Sequence, residues 1–435
     1  MDGGARDVEL LLARIKQEIS SLKEDPRFKK PADGKRGAGL YEHVVDLIGS
    51  CEWRIERNNP GPESSPEAQE AFARTLRESI TVLGEAQFAL PWLIATRSPN
   101  VNLGSLYMSE ELTEILVGKD TDLVIVPDRK FMYSTISWPF SSTIESTPGF
   151  TRRTKRRPIV VHYPLSDSDR LLLHPLFAHE IGHSTVYKFK LIERFGSEVM
   201  SDAAFKERVR DEAGRVMAEL SPGISQLRLR RELRENLRNW IKELLCDLLA
   251  VEAVGPTFLW AVGSFGLPLN RSEPTFTHPP TTLRIKLILD LLERNGWIDF
   301  CEDAAPEIMG LLREVAADAT EKLGRPWDFL RDEVLAQSDW LRGVVSERVG
   351  DQQLRPVVGE EAKRAADLLD HLILPVGPDE CPFKPRAIML GGWLHALRDQ
   401  DSPEGLVSVQ KDRRLQDLVG KAIEMSTVLT SWEHR

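Results

Sequence analysis

Between Leu171 and Tyr187 the chain reads LLLHPLFAHEIGHSTVY. The second part of this stretch sets three ionisable side chains, His179, Glu180 and His183, within five residues of a run that is otherwise apolar enough to be buried. Burying such groups is costly unless partners meet them. The stretch therefore constrains the fold more than any other. It favours a helix, and residues elsewhere in the chain must come to it. On a helix, residues four apart stack on one face, so His179 and His183 point at one place. Glu180 projects beside that place. Two neutral imidazoles at this spacing can hold a zinc ion, and an adjacent carboxylate can take a proton from water. The competing reading is a helix with two buried histidines.

Two later stretches bear on that choice. In Ile241–Ala250, IKELLCDLLA, the acids Glu243 and Asp247 are four apart within a strongly apolar segment. Leu244, Leu245, Leu248 and Leu249 leave a narrow polar face, and buried acids need a reason. A metal supplies one. Glu243 is the expected third ligand, and Asp247 the acceptor for the far nitrogen of a metal-bound histidine. Glu252, nine residues from Glu243, faces elsewhere. In Thr277–Ile285, THPPTTLRI, the two prolines after His278 exclude a mid-helix position. The segment reads as a rigid loop leading into a helix over 282–292. A histidine held there is placed to donate to a developing oxyanion; the alternative is a loop histidine packed by its prolines. His174, five residues before His179, points off the metal face and is read as structural. His162 has no assigned role, and His395 is read as a core residue.

Taken together, HEIGH, ELLCD and HPPTTLR resemble the gluzincin class of zinc metallopeptidases. The chain is most similar to the HtpX and CAAX-prenyl-protease type, which pairs HExxH with a downstream ExxxD and an HP…R element. The resemblance covers residues 120–290. It implies His179, His183 and Glu243 as Zn2+ ligands and Glu180 as general base. It also implies His278 and Arg284 as accessory active-site residues. There are two departures. The membrane enzymes of that type span the bilayer, whereas the nearest candidate here, Ala253–Leu269, is broken by Gly255-Pro256, Gly263, Gly266 and Pro268 and falls short of about 20 residues. It reads as buried helix and loop near the site. The interval 184–242 is also long, so a helical insertion is expected at about 186–235, shaping the cleft or binding a regulator.

The remainder supplies the frame. Apolar positions recur at helical spacing over 7–24 and 39–56. A long helix is expected over 66–83, with Pro91 and Pro99 ending the helical region, and Ser109 reads as the N-cap of a short helix. Asp122–Pro127, Phe131–Trp138 and Pro158–Tyr163 read as strands. Either of the last two is a candidate edge for holding a substrate as an added strand. Arg152–Arg157, RRTKRR, reads as a solvated loop. From Cys301 the chain is again helical, a scaffold or lid, and Gly391-Gly392 beside Trp393 suggests close helix packing.

The expected fold class is α+β, mainly α: a zincin-like catalytic core with a small β-sheet, flanked by helical regions. The divisions are 1–105 (helical), 106–300 (core) and 301–435 (helical). A net charge of −10 argues against nucleic-acid partners. Four scattered cysteines form no CxxC pair, and the N-terminal segment carries acids within its apolar run, unlike a signal peptide. A cytoplasmic location without a membrane span is expected. The expected function is soluble zinc-dependent hydrolysis of peptide bonds in a protein or peptide substrate, with a protein regulator as a further partner through the helical flanks. Two alternatives stay open: a catalytically idle zincin-fold interaction module, and a zinc hydrolase of a non-peptide amide.

Overall fold

The computed structural model describes residues 2–30, 38–61, 64–95, 102–128, 133–137, 157–219, 225–266, 273–376, 382–398 and 412–433. It is mostly helical with one three-stranded sheet, hence α+β and mainly α. Its contacts divide the chain into two compact units, Met1–Asn100 with Lys119–Tyr163, and Val101–Gly118 with Pro164–Arg435.

In the first unit, α1 (Asp2–Glu24), α2 (Ala38–Asn58) and α3 (Pro66–Ala95) form a helical layer with β1 (Thr121–Asp128), β2 (Ser134–Ser137) and β3 (Arg157–Pro164). The apolar stripe of α1 at Ile15, Ile19 and Leu22 is buried, and Val124 of β1 and Val160 of β3 join the same core. Asp122 at the start of β1 accepts a hydrogen bond from the Leu40 amide at 3.1 Å, satisfying one of the open donors at the start of α2. The helix expected to stop near 83 runs on through Pro91 to Ala95. Leu90, Trp92 and Leu93 are buried around that proline. Their burial outweighs the roughly 3 kcal/mol that an interior proline costs.

The strand order is β1-β3-β2. β2 pairs with β3 antiparallel, with Thr135 opposite Val161 and Ser137 opposite Ile159. Pro158–Tyr163 is therefore the central strand, and both of its sides are already hydrogen-bonded. That corrects its reading as a candidate edge for an added strand. Residues 131, 132, 138 and 152–156 lie outside the described residues, and with them most of the RRTKRR run. His162, on β3, lies 3.8 Å from Asp128.

In the second unit, α4 (Leu103–Leu116) is capped by Asn102, whose side-chain oxygen accepts from the Gly104 amide at 2.9 Å. Ser109 is not the cap. It sits inside the helix, with its hydroxyl donating back to the Ser105 carbonyl at 2.7 Å. Next come α5 (Leu176–Lys188), α6 (Leu191–Glu198), α7 (Ala203–Glu219) and α8 (Gln226–Val254). The stretch after His183 is thus not one continuous helix. Lys190 adopts a left-handed backbone (φ 52°) that ends α5. The Ser221-Pro222-Gly223 break falls outside the described residues, between α7 and α8. α9 (Pro256–Gly266) and α10 (Thr281–Arg294) complete the elements around the candidate site.

Among the described residues seven further α-helices follow: α11 (Ile298–Ala304), α12 (Pro306–Ala317), α13 (Trp327–Ala336), α14 (Ser338–Val349), α15 (Gly359–Asp370), α16 (Pro385–Leu397) and α17 (Arg413–Glu433). α15 and α16 pack closely because Gly391 has no side chain. A Cβ there would lie 2.6 Å from Ala365 Cβ and 2.8 Å from the Ala362 carbonyl oxygen. His395 on α16 is not a core residue. It is partly exposed, and its Nδ1 lies 2.6 Å from Asp370 Oδ1. Among the described residues no helix is long and apolar enough to cross a membrane.

The α15–α16 contact predicts a contrast measurable by thermal unfolding. Gly391→Ala should destabilise by about 1–3 kcal/mol through overpacking. Gly310→Ala on α12, where nothing lies within 4 Å, should be neutral or slightly stabilising. Equal melting temperatures would remove Gly391 from the packing argument.

Candidate metal centre

Burial of the second half of α8 on all sides sets the problem that this site solves. From Trp240 to Val254 every side chain except Lys242 is buried. That stretch includes three carboxylates, Glu243, Asp247 and Glu252, at 4%, 0% and 1% exposure. Each needs a partner. Glu243 and Asp247 find theirs on α5, which is also apolar on nearly all sides and carries His179 and Glu180 buried and His183 half-buried. The two helices cross at Gly182. A Cβ there would meet Cys246 Cα at 3.1 Å and Cys246 Cβ at 3.3 Å. With no side chain at Gly182, α5 approaches this closely without displacing Cys246, and the approach sets the carboxylates of α8 against the imidazoles of α5.

The histidine rings lie 4.9 Å apart and perpendicular to one another. His179 Nε2 is 3.4 Å from Glu243 Oε2, and His183 Nε2 is 3.8 Å from the same oxygen. Ligand atoms bound at about 2.0–2.2 Å in a tetrahedron stand about 3.3–3.6 Å from one another. The two distances from Glu243 Oε2 to the imidazole nitrogens are close to those edges. Glu180 also has an oxygen within 4.8 Å of a ring nitrogen of each histidine. His179, Glu180 and His183 thus make a group that could itself hold a metal ion, and Glu243 brings a second carboxylate to the same two rings. Two imidazoles and a carboxylate are the donor types that suit zinc in a site with one open position.

Outer partners fix the rings. Asp247 Oδ1 lies 2.8 Å from His179 Nδ1, so His179 donates there and turns Nε2 toward Glu243. Arg284 on α10 donates to both oxygens of Asp247, from Nε at 2.7 Å and from Nη2 at 2.7 Å. That bidentate pair compensates the buried carboxylate. The guanidinium of Arg284 is thus engaged behind the site, where it acts through Asp247. Cys246 Sγ lies 3.3 Å from His183 Nδ1, giving the second histidine an outer partner as well. Sequence reasoning missed Cys246, though its place between Glu243 and Asp247 on a buried helix was a usable signal. Glu252 touches neither histidine. It sits at the other end of α8, where its backbone carbonyl accepts from Leu354.

Phe258 of α9 stacks parallel to the His179 ring at 6.4 Å, so the described part of the segment expected near the site, through Gly266, lies beside it as helix, buried through Ser264. The His278 loop closes another side. Thr275 and His278 bond through their backbones at 3.0 Å, and Trp240 of α8 donates to the Thr275 carbonyl at 2.8 Å. His278 Nε2 is 3.7 Å from Glu243 Oε2, with the side chain 58% exposed. Its Nδ1 lies 2.8 Å from Thr277 Oγ1. When that hydroxyl donates to Nδ1, Nε2 carries the hydrogen and faces the site. His174 is elsewhere, between Ser105 Oγ at 2.5 Å and the Asp167 carbonyl at 3.2 Å. Burial lowers its pKa to about 4, so it stays neutral.

The charge distribution without an ion follows from these contacts. Burial disfavours the His179 cation, but Asp247 and then Glu243 and Glu180 outweigh it and raise its pKa to about 10. Burial and the His179 charge hold His183 down at about 3. Against the cost of burial, His179 and His183 lower the Glu243 pKa, and Arg284 and His179 lower that of Asp247. Burial, only partly offset by Glu243, lowers that of His278.

No protein-family model, curated protein or solved structure matches this chain.

Two outcomes follow. With His179 raised from 6.5 to about 10, its pairing with the carboxylates supports the metal-free fold fully below 6.5 and is lost as pH rises through 10. An ion must displace that proton. Calorimetry at pH 8 in buffers of different ionisation enthalpy should show close to one proton released per zinc bound; no release would contradict the charge assignment. In competition titrations, Asp247→Ala should weaken zinc binding about 10–100-fold, and Glu243→Ala considerably more. Equal losses, or the reverse order, would contradict the ligand set.

Proposed function

We propose that this chain is a zinc-dependent hydrolase of peptide bonds, built on a zincin-like core of the gluzincin type. The observation that carries the reading is the meeting of His179 Nε2, His183 Nε2 and Glu243 Oε2 at 3.4 and 3.8 Å, with the Glu180 carboxylate beside them. The spacing of HEIGH, ELLCD and HPPTTLR, with its resemblance to that class, supports it independently.

His179, His183 and Glu243 would hold the ion, with Asp247 and Cys246 steadying the two rings from behind. A zinc ion held there supplies Lewis acidity, which acidifies water and polarises a carbonyl oxygen. The chain's own residues do the rest. Glu180 accepts a proton from the attacking water and passes it to the leaving amine. That role suits a buried carboxylate not taken up by ligation. His278 presents Nε2–H on the same side, where it donates to the oxygen that becomes negative as the carbonyl is attacked. Its lowered pKa keeps it neutral near pH 7, with Nε2–H fixed by Thr277. Arg284 contributes by holding Asp247, and hence the tautomer of His179.

Glu180→Gln should keep the fold and bind zinc while losing hydrolysis, because the amide cannot accept the proton. Unbiased cleavage profiling of a cell extract treated with either form tests this. New protein termini with wild type alone support the reading. Identical termini with both forms would remove Glu180 as the base. No new termini with either form would favour an idle interaction module or a non-peptide substrate. His278→Ala should lower kcat about 10²–10³-fold, with zinc content and KM little changed. A zinc-replete variant with wild-type turnover would remove His278 from the mechanism.

A further inference from the structure

The first half of α8 carries Arg230, Arg231, Arg234 and Arg238. At these spacings all four fall on one stripe of the helix. They line a half-open groove of 580 Å³ between α8 and the segment around Gly196 and Met200. Like charges four apart on a helix repel, so such a stripe normally recruits carboxylates. Other arginines of this unit do so: Arg194 pairs with Glu198 and Glu347, Arg208 with Glu333, and Arg284 with Asp247. The four arginines of the groove make no salt bridge among the described residues. Glu235, which also faces the groove, makes none.

A second observation is independent of charge. The Nε atoms of Arg230 and Arg234 are buried and have no hydrogen-bond acceptor. Buried donors in folded proteins nearly always have one, so these two await an acceptor that the described residues do not supply. Room has been left for it. Gly196 opposes the stripe, and even a Cβ there would only approach Arg238 Nη2 to 3.9 Å.

The geometry selects the class of ligand. Positions four apart on α8 rise in steps of about 6 Å. An extended polypeptide repeats its side chains on one face every ~6.6 Å. Carboxylates at alternate positions of such a strand therefore match Arg230, Arg234 and Arg238 in turn. Leu227, 76% exposed at one end of the groove, offers apolar contact to the same strand. Among the described residues no aromatic side chain lines the groove for base stacking.

We infer that this groove docks an acidic, extended segment of a partner polypeptide through Arg230, Arg234 and Arg238. Nine residues separate Arg234 from Glu243, which is half a turn round α8. Docking is thus a separate activity, on the side of the helix away from the candidate metal centre.

The test uses the full chain carrying Glu180→Gln, so that a bound peptide is not cut whether or not the hydrolase reading holds. The probe is a fluorescein-labelled peptide of about ten residues alternating Glu and Thr, followed by anisotropy. Saturable binding is expected, weakened about tenfold or more when salt rises from about 50 to about 300 mM. Adding Arg230→Gln with Arg234→Gln should weaken it about tenfold or more, whereas Arg313→Gln, on α12, should leave it unchanged. A peptide with Lys in place of Glu should not bind. If the double variant does not fold, Arg238→Gln and the Lys peptide make the same comparison. The inference is overturned if the Glu peptide does not bind, or if the arginine variants bind it as tightly as the parent. It is also overturned if oligothymidylate of similar length or inorganic phosphate occupies the site more tightly than the peptide.

Discussion

The crossing of α5 and α8 at Gly182 is the constraint on which the candidate site depends. A Cβ at that position would press on the backbone of Cys246. With hydrogen in its place, two helices buried on nearly every side meet closely enough for α8 carboxylates to reach α5 imidazoles. His179 and His183 flank the crossing on one helix, and Glu243 and Asp247 flank it on the other. One close approach thus brings together four groups that would be costly to bury singly. The apolar residues around them supply the burial that holds the helices in contact.

The polar groups form a layered arrangement. Glu243 and the Nε2 atoms of the two histidines make the inner layer. Asp247 and Cys246 meet the Nδ1 atoms behind them, and Arg284 closes the outer side through Asp247. A buried carboxylate facing only an imidazole would be poorly compensated. Facing an imidazole and a bidentate guanidinium, it is held as an anion and fixed in direction. The same logic separates Glu243 and Glu180 from Glu252. The first two lie among the histidines, whereas Glu252 lies outside the cluster with its pKa raised by burial.

Much of this was legible in the chain. Helical spacing over 7–24 and 39–56 marks α1 and α2, and three β-prone runs mark the strands. Four-residue spacing put the two histidines on one face and the two acids on another, because that geometry is local to each helix. What escaped depends on distant partners. The helix from Pro66 was expected to stop near 83, with Pro91 closing the helical region, but buried neighbours carry α3 through that proline. Ser109 resembles a cap, yet Asn102 holds that place and the serine bonds within the helix. The central position of β3 is a matter of strand order, which alternation along one strand does not encode. Arg284 was implied as an active-site residue by the resemblance of its HP…R element, but its engagement with Asp247 needs α8 and α10 packed together. Cys246 reads as an apolar residue until α5 sets His183 against it.

The identity of the atoms that would surround the ion decides whether α5 and α8 together form the centre. X-ray absorption at the zinc edge of the loaded protein measures that directly. Ligation by His179, His183 and Glu243 predicts nitrogen and oxygen scatterers only, at about 2.0–2.2 Å, with outer-shell features of two imidazoles. A sulfur scatterer at about 2.3 Å would mean that Cys246 has left its place behind His183 to bind the ion. A shell with no imidazole signature would mean that the HExxH helix does not hold the ion. Either result would contradict the arrangement described for α5 and α8.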